Sequence, residues 1–237
     1  GRRPHVNEAL RTLCARIGYQ FADESLVETA MRHRSYVAEN EGVESNERLE
    51  FLGDAILGWV VADLVYRAHA DLHEGKLTDL RKSLVNAVAL ADLAEELGVG
   101  ECLLLGRGEE QGAGRTKTSI LSDALEAVFG AIYLDSDAFS AHKVLTSLIE
   151  PRLQAAIDGL DRLDAKTRLQ EMASKLLGEH VHYKIEDEGP DHDKTFYATV
   201  FVGERELGFG EGRSKKAAEQ LAAEEACDTL AREHSND

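Results

Sequence analysis

Glu47, Glu50 and Asp54 stand at i, i+3 and i+7 in the stretch Asn46-Glu47-Arg48-Leu49-Glu50-Phe51-Leu52-Gly53-Asp54. At about 3.6 residues per turn, this spacing places all three carboxylates on one face of a helix. The residues that follow, Ala55 to Val65, are apolar nearly all round, the pattern of a central buried helix. Carboxylates there are costly unless paired, protonated or bound to a cation. Arg48 can neutralise one of them, not three. A hard divalent cation with oxygen ligands resolves the problem, and Mg²⁺ is the default. The competing reading is a solvated first helical turn, which suits Glu47 better than Glu50 and Asp54. A second acidic pair, Asp123 and Glu126, stands i, i+3 in the apolar helical run from Ser119 to Leu134. Two buried helices, each carrying an acidic pair, can converge on one metal cluster.

The elements that must position these residues are helical up to about residue 160. Val6, Leu10, Leu13 and Ile17 mark a first helix, and a second begins near Asp23 or Glu24 and runs into His33-Arg34-Ser35-Tyr36. His33 reads as a packed, hydrogen-bonded histidine. A polar loop, 39–44, precedes the acidic helix, which ends around His69 to His73. Lys76 to Leu97 reads as one further helix with a basic stripe of Lys76, Arg81 and Lys82, and Ala138 to Ile157 as the last of this domain. The Gly-rich stretch Gln111 to Gly114 is neither a phosphate loop nor a dinucleotide fingerprint, because the spacing is wrong and no strand precedes it. No alternating strand pattern occurs before residue 160. After a short linker at 159–163 the pattern changes to helix, three alternating strands (Val181 to Ile185, Thr195 to Val202, Glu206 to Gly210) and a final helix from Ser214. In the middle strand, Phe196, Ala198, Val200 and Val202 face one side.

The totals are consistent with one or two domains: 237 residues, 43% of them hydrophobic. No apolar run approaches the roughly 20 residues of a membrane span, and Gly1-Arg2-Arg3-Pro4 does not open a secretory leader. Cys14, Cys102 and Cys227 are few, odd in number and unpatterned, which predicts a reducing cytoplasm rather than a zinc or disulfide framework. The net charge of −17 weighs against nucleic acid, unless the cations cluster where the phosphates lie.

The run from Asn46 to Asp54 resembles the signature of bacterial ribonuclease III, the endonuclease that cuts double-stranded RNA. Asp123-x-x-Glu126, in its Ser-Ile-Leu-Ser-Asp context, resembles the second half of that family's active site. His33-Arg34-Ser35-Tyr36 is similar to another family segment, with Arg32 where Thr is more usual. In the second half, Asp164 to Glu171 resembles the first RNA-contacting helix of a double-stranded RNA-binding domain, Gly189 to Phe196 its minor-groove loop, and Gly212 to Gln220 its basic helix start. Thr167, Gln170, Glu171 and His192 suit 2′-hydroxyls on a shallow minor groove. Lys215 and Lys216, with Gln220 on the same helix, suit phosphates at the positive end of that helix.

The resemblance implies a multi-domain fold: an all-α endonuclease domain at 1–158, then an α-β-β-β-α (α+β) double-stranded RNA-binding domain at 164–237. It implies catalytic roles for Glu47, Glu50, Asp54, Glu74, Asp123 and Glu126. Glu50, Asp54, Asp123 and Glu126 would hold Mg²⁺, for which Mn²⁺ can substitute, with no small-molecule cofactor. It implies a homodimer in which Phe51 wedges into the partner, and an RNA contact at Arg107. Products would be 5′-phosphates and 3′-hydroxyls with short 3′ overhangs, from ribosomal RNA precursors and other structured transcripts. A non-cutting RNA-binding scaffold is the first rival. A helical di-iron enzyme is the second, and it needs paired Glu-x-x-His motifs, of which the chain carries no pair.

Overall fold

The computed structural model describes residues 4–190 and 194–234. The chain divides into two compact units, Gly1–Ala156 and Ile157–Asp237.

The first unit is all-helical, as the periodicity predicts. Its helices are α1 (Pro4–Ile17), α2 (Glu24–Ala30), α3 (Arg34–Val37), α4 (Glu47–Ala68), α5 (Glu74–Val85), α6 (Ala87–Leu97), α7 (Val99–Cys102), α8 (Arg107–Gln111), α9 (Thr118–Asp135) and α10, which begins at Ala138. Helix α9 is the core element: from Ile120 to Ile132 nearly every residue is buried, and its most extensive neighbour is α4. Leu57, Val60, Val61 and Phe129 are closed to solvent in this layer. The segment between α1 and α2 is held by one carboxylate at the end of α9. Asp135 accepts from the Tyr19 hydroxyl and from the Ala22 and Asp23 backbone N–H groups, all at 2.8 Å.

Helix α2 ends at Ala30 rather than running into His33, strands β1 and β3 run longer than expected, and two larger differences concern helices. Lys76 to Leu97 is not one helix but two, broken at Asn86. That residue takes an extended ψ of 158°, and its side chain accepts from the Val88 and Ala89 N–H groups. An asparagine that satisfies two orphan amides at a helix start competes well with continuing the helix. The segment expected to be a linker, 159–163, is instead helical, because α10 runs unbroken from Ala138 to Met172. A single glycine, Gly159, costs a helix about 1 kcal/mol. Its neighbours Ala155, Ala156 and Leu160 favour continuation.

The second unit is a three-stranded antiparallel sheet with strand order β1 (Val181–Glu188), β2 (Thr195–Val202), β3 (Arg205–Gly212). Helix α11 (Lys215–His234) packs across β3 and β2. Ala198, Val200 and Val202 face inward onto Leu169, Ala173, Ala222 and Ala226, as the alternation predicts. The close packing needs bare backbone on β3, since a Cβ at Gly210 would lie 2.1 Å from the Ala218 carbonyl oxygen. Lys166 ties α10 to α11 through Glu219 (2.5 Å) and lies over the Tyr183 ring.

Asp135→Ala is expected to lower the stability of the first unit by about 1–3 kcal/mol, or about 2–6 °C in melting temperature. Burial opposes ionisation of Asp135, but the three donors outweigh it and hold the carboxyl below its ordinary 3.8. Its stabilisation is therefore present above that pH and lost as pH falls through the lower folded value. Thermal melts of the two proteins should differ at neutral pH and converge in strong acid.

Candidate active site

The carboxylates are placed by a backbone-to-backbone crossing of α4 and α9. A Cβ at Gly53 would stand 1.7 Å from the Glu126 carbonyl oxygen, and one at Gly130 would stand 2.4 Å from that of Leu49. No side chain can lie between the helices here. Glu50 and Asp54 flank Gly53 on α4, while Asp123 and Glu126 precede Gly130 on α9, so the crossing sets the two acidic pairs against each other. The start of α4 is fixed from outside. Asn46, only 3% exposed, donates its side-chain amide to the Ala30 carbonyl (3.2 Å) and its backbone N–H to that of Arg32 (2.9 Å). Asn46 thus anchors the helix without capping it through its side chain. Ser45 donates to the Glu47 carboxylate (2.7 Å).

Oxygens of Glu50, Asp123 and Glu126 lie within 4.8 Å of one another. Burial pushes the Glu126 carboxyl from 4.5 up to about 7, with Asp54, Asp123 and Glu50 adding repulsion. Glu50 is raised by burial and then by Asp123, Glu47 and Asp54, against Arg34. Burial also raises Asp123, partly offset by the Ser122 hydroxyl and by His33 and Arg34. Three carboxyls that each resist ionisation, packed around one point, are stabilised by a proton or by a cation. An all-carboxylate donor set is hard and suits Mg²⁺ or Mn²⁺.

The cluster opens into a cleft of about 380 Å³ whose lining includes His33, Arg34, Glu47 and Lys117. The sequence reading of His33 as packed and hydrogen-bonded now has its partner. His33 Nδ1 accepts from the Ser35 backbone N–H (3.3 Å) and lies 2.8 Å from Ser35 Oγ, which itself accepts from the Gly106 N–H (2.9 Å). The ring proton of the neutral form is therefore on Nε2. Burial lowers the His33 pKa, opposed chiefly by Glu109. Glu109 is itself ion-paired with Lys117.

The remaining predicted residues stand outside the three-carboxylate group. Asp54 is exposed and outside the three-carboxylate group, though it adds to the repulsion on Glu126 and Glu50. Glu47 is exposed at the start of α4. Glu74 opens α5, exposed, accepting from the Thr78 hydroxyl (3.0 Å), and is not part of the group. Phe51 is 81% exposed and takes no part in the core of its unit. Arg107 presents its side chain to solvent, and its backbone N–H donates to Glu39 (2.8 Å). In the second unit Thr167, Gln170 and Glu171 are exposed near the end of α10. Lys215 and Lys216 are exposed in the first turn of α11, with Gln220 partly exposed one turn on. His192 lies outside the described residues. A Glu-x-x-His spacing does occur at Glu179 to His182, but it leads into strand β1 and shares no helix with the acidic cluster. The roles of Gly53, Gly130 and Asn46 were missed from sequence. The one available signal was two glycines inside otherwise apolar helices.

A family model described as Ribonuclease-III-like matches residues 23–153, and one described as Double-stranded RNA binding motif matches 165–230. The protein named Ribonuclease 3 from Thermobifida fusca is 53% identical over 212 residues, covering 89% of this chain and 87% of that one. Ribonuclease 3 of Pelotomaculum thermopropionicum is 44% identical over 226 residues, covering 94% of each. A crystal structure of the nuclease domain of ribonuclease III from Campylobacter jejuni superimposes with a TM-score of 0.56 at 39% identity, covering 60% of this chain and 95% of that one.

Gly53→Ala is expected to destabilise the protein by about 3 kcal/mol or more, since the new methyl overlaps a carbonyl that cannot withdraw. Gly58→Ala on the same helix meets nothing within 4 Å and should be neutral to slightly stabilising in the same thermal melts. A second expectation concerns pH. The folded state holds a proton on Glu126 that the unfolded chain releases, so metal-free stability should fall as pH rises from 4.5 through about 7. A divalent cation removes that penalty. The gain in melting temperature from Mg²⁺ over chelator should be larger at about pH 8 than at about pH 5.

Proposed function

The chain belongs to the ribonuclease III family, and on that premise we propose that it is a Mg²⁺-dependent endoribonuclease that cleaves both strands of RNA duplexes. The observation that carries the reading is the convergence of Glu50, Asp123 and Glu126 from two helices, within 4.8 Å. Mg²⁺, or Mn²⁺ in its place, would be held by these three carboxylates together with Asp54. When bound, the ion supplies a water of lowered pKa and charge stabilisation at the scissile phosphate and the leaving 3′ oxygen. The chain's own part is to fix the ligands. Gly53 and Gly130 lock their spacing, and burial keeps Glu126 reluctant to ionise without a cation. Arg34 on the cleft lining sets positive charge beside the acids, where RNA phosphates must approach. Glu47 and Glu74 line the route of the RNA in second rank, and Arg107 offers an exposed contact to it.

Residues 1–158 form the nuclease domain on this reading, and 164–237 the RNA-binding domain joined to it through 159–163. Thr167, Gln170, Glu171 and His192 read the minor groove, while Lys215, Lys216 and Gln220 take the phosphates across the intervening groove. Two copies pair through the first domain, with Phe51 of each entering the other. Its 81% exposure beside Glu50 supports this. A similar nuclease domain, that of ribonuclease III from Campylobacter jejuni, is described as structurally flexible in a region involved in dimer formation, which supports it too. Two sites facing opposite strands give short 3′ overhangs with 5′-phosphate and 3′-hydroxyl ends. Ribosomal RNA precursors and other structured transcripts are the natural duplex class. No described helix is long and apolar enough to cross a membrane. The three cysteines are free, which suits a reducing cytoplasm.

Glu126→Gln should reduce cleavage of a long perfect RNA duplex in Mg²⁺ by about a hundredfold or more, with duplex affinity within about twofold of the parent. Binding without cutting by the parent protein, under every metal condition, would contradict the enzyme reading and leave an RNA-binding scaffold.

A further inference from the structure

The sheet of the second unit buries one face against its helices and leaves the other to solvent. The open face is aromatic. His182 stacks on Phe201 with ring centroids 5.1 Å apart, and Tyr197 stacks on Phe209 at 6.1 Å. Phe209 is 49% exposed. The strand register makes this one surface: Thr199 of β2 sits between Lys184 and Phe209 and separates the two stacks. The rim is acidic. Glu186 and Glu211 flank Tyr197, and Glu206 lies opposite Phe201. The sole lysine among these facing positions, Lys184, is already paired with Glu186 at 2.8 Å. Among the described residues no cation pairs with Glu206 or Glu211.

None of this is used by the RNA reading, whose residues lie on the helices or in the segment between β1 and β2. A phosphate backbone would meet uncompensated carboxylates here, and so would the same face of a second copy. Edge pairing at β3 is also blocked at its centre, because the Phe209 N–H donates to Glu225 (2.6 Å). Flat rings framed by acids attract one chemistry best, the guanidinium group, which stacks on aromatic faces while its fork engages carboxylates. We propose that the open face of this sheet is a docking site for an arginine-rich segment of another protein.

The test uses the full chain and two labelled peptides of equal charge, nona-arginine and nona-lysine, titrated by fluorescence anisotropy near physiological salt. The lysine peptide reports the general attraction to a chain of net charge −17. The arginine peptide should bind about fivefold tighter or more. A Tyr197→Ser, Phe209→Ser variant should equalise the two peptides, with duplex RNA binding and cleavage unchanged. Phe209→Leu, which keeps the apolar volume and removes the ring, should reduce the preference even if the double variant folds poorly. Equal binding of both peptides by the parent, or a preference that survives in Phe209→Leu, would overturn the proposal. A loss of duplex affinity in these variants would overturn it in favour of an RNA surface. A loss of self-association would overturn it in favour of a second copy.

Discussion

The first unit depends on one contact in which two helices touch through bare backbone. At Gly53 and Gly130, α4 and α9 approach so closely that a methyl group on either side would overlap a carbonyl of the other. Apolar burial drives the helices together, since α9 is closed to solvent over most of its length. Burial alone, however, does not fix rotation or register. The two glycines do, because only one alignment lets the helices reach this distance. The acidic pairs lie within a turn or two of those glycines, so the packing constraint and the chemical one are the same constraint.

That alignment forces like charges together. Glu126 is the most burdened, held near neutrality by desolvation and three neighbouring acids. In a protein selected only for stability the arrangement would be a defect; at a metal site it is a source of affinity, since the cation relieves a cost already present in the fold. It also explains how a chain of net charge −17 can act on a polyanion. Charge is organised locally, with acids inside the cleft, Arg34 on its lining, and Lys215 and Lys216 exposed at the start of α11. Away from those places the acidic surplus faces solvent, or, on the open sheet face, frames aromatic rings.

Local periodicity was legible in the sequence, and long-range geometry was not. The spacing of Glu47, Glu50 and Asp54 correctly puts them on one helix, yet which of them meets Asp123 and Glu126 depends on the crossing at Gly53. Glu50 converges with them and Asp54 stays exposed at the edge. Alternation in β2 identifies Ala198, Val200 and Val202 as inward, whereas the aromatic character of the opposite face emerges only when the register brings His182 and Phe209 beside β2. Asn86 breaks a helix because its side chain serves as a cap, a choice that hydrophobic spacing does not encode. The helical backbone through 159–163 shows the reverse: composition suggested a loop, and one glycine was too weak a breaker. His33 needed the turn at Ser35, whose backbone N–H donates to its Nδ1, before its hydrogen-bonding state could be assigned.

The central claim is that two helices, locked by glycines, form a divalent-cation site from Glu50, Asp123 and Glu126. Anomalous X-ray scattering from crystals grown with Mn²⁺ tests it most directly. The account predicts an anomalous peak bounded by those three carboxylates, lost in crystals of Glu126→Gln. Crystals with Mn²⁺ bound elsewhere, and this cluster holding only a proton, would contradict it.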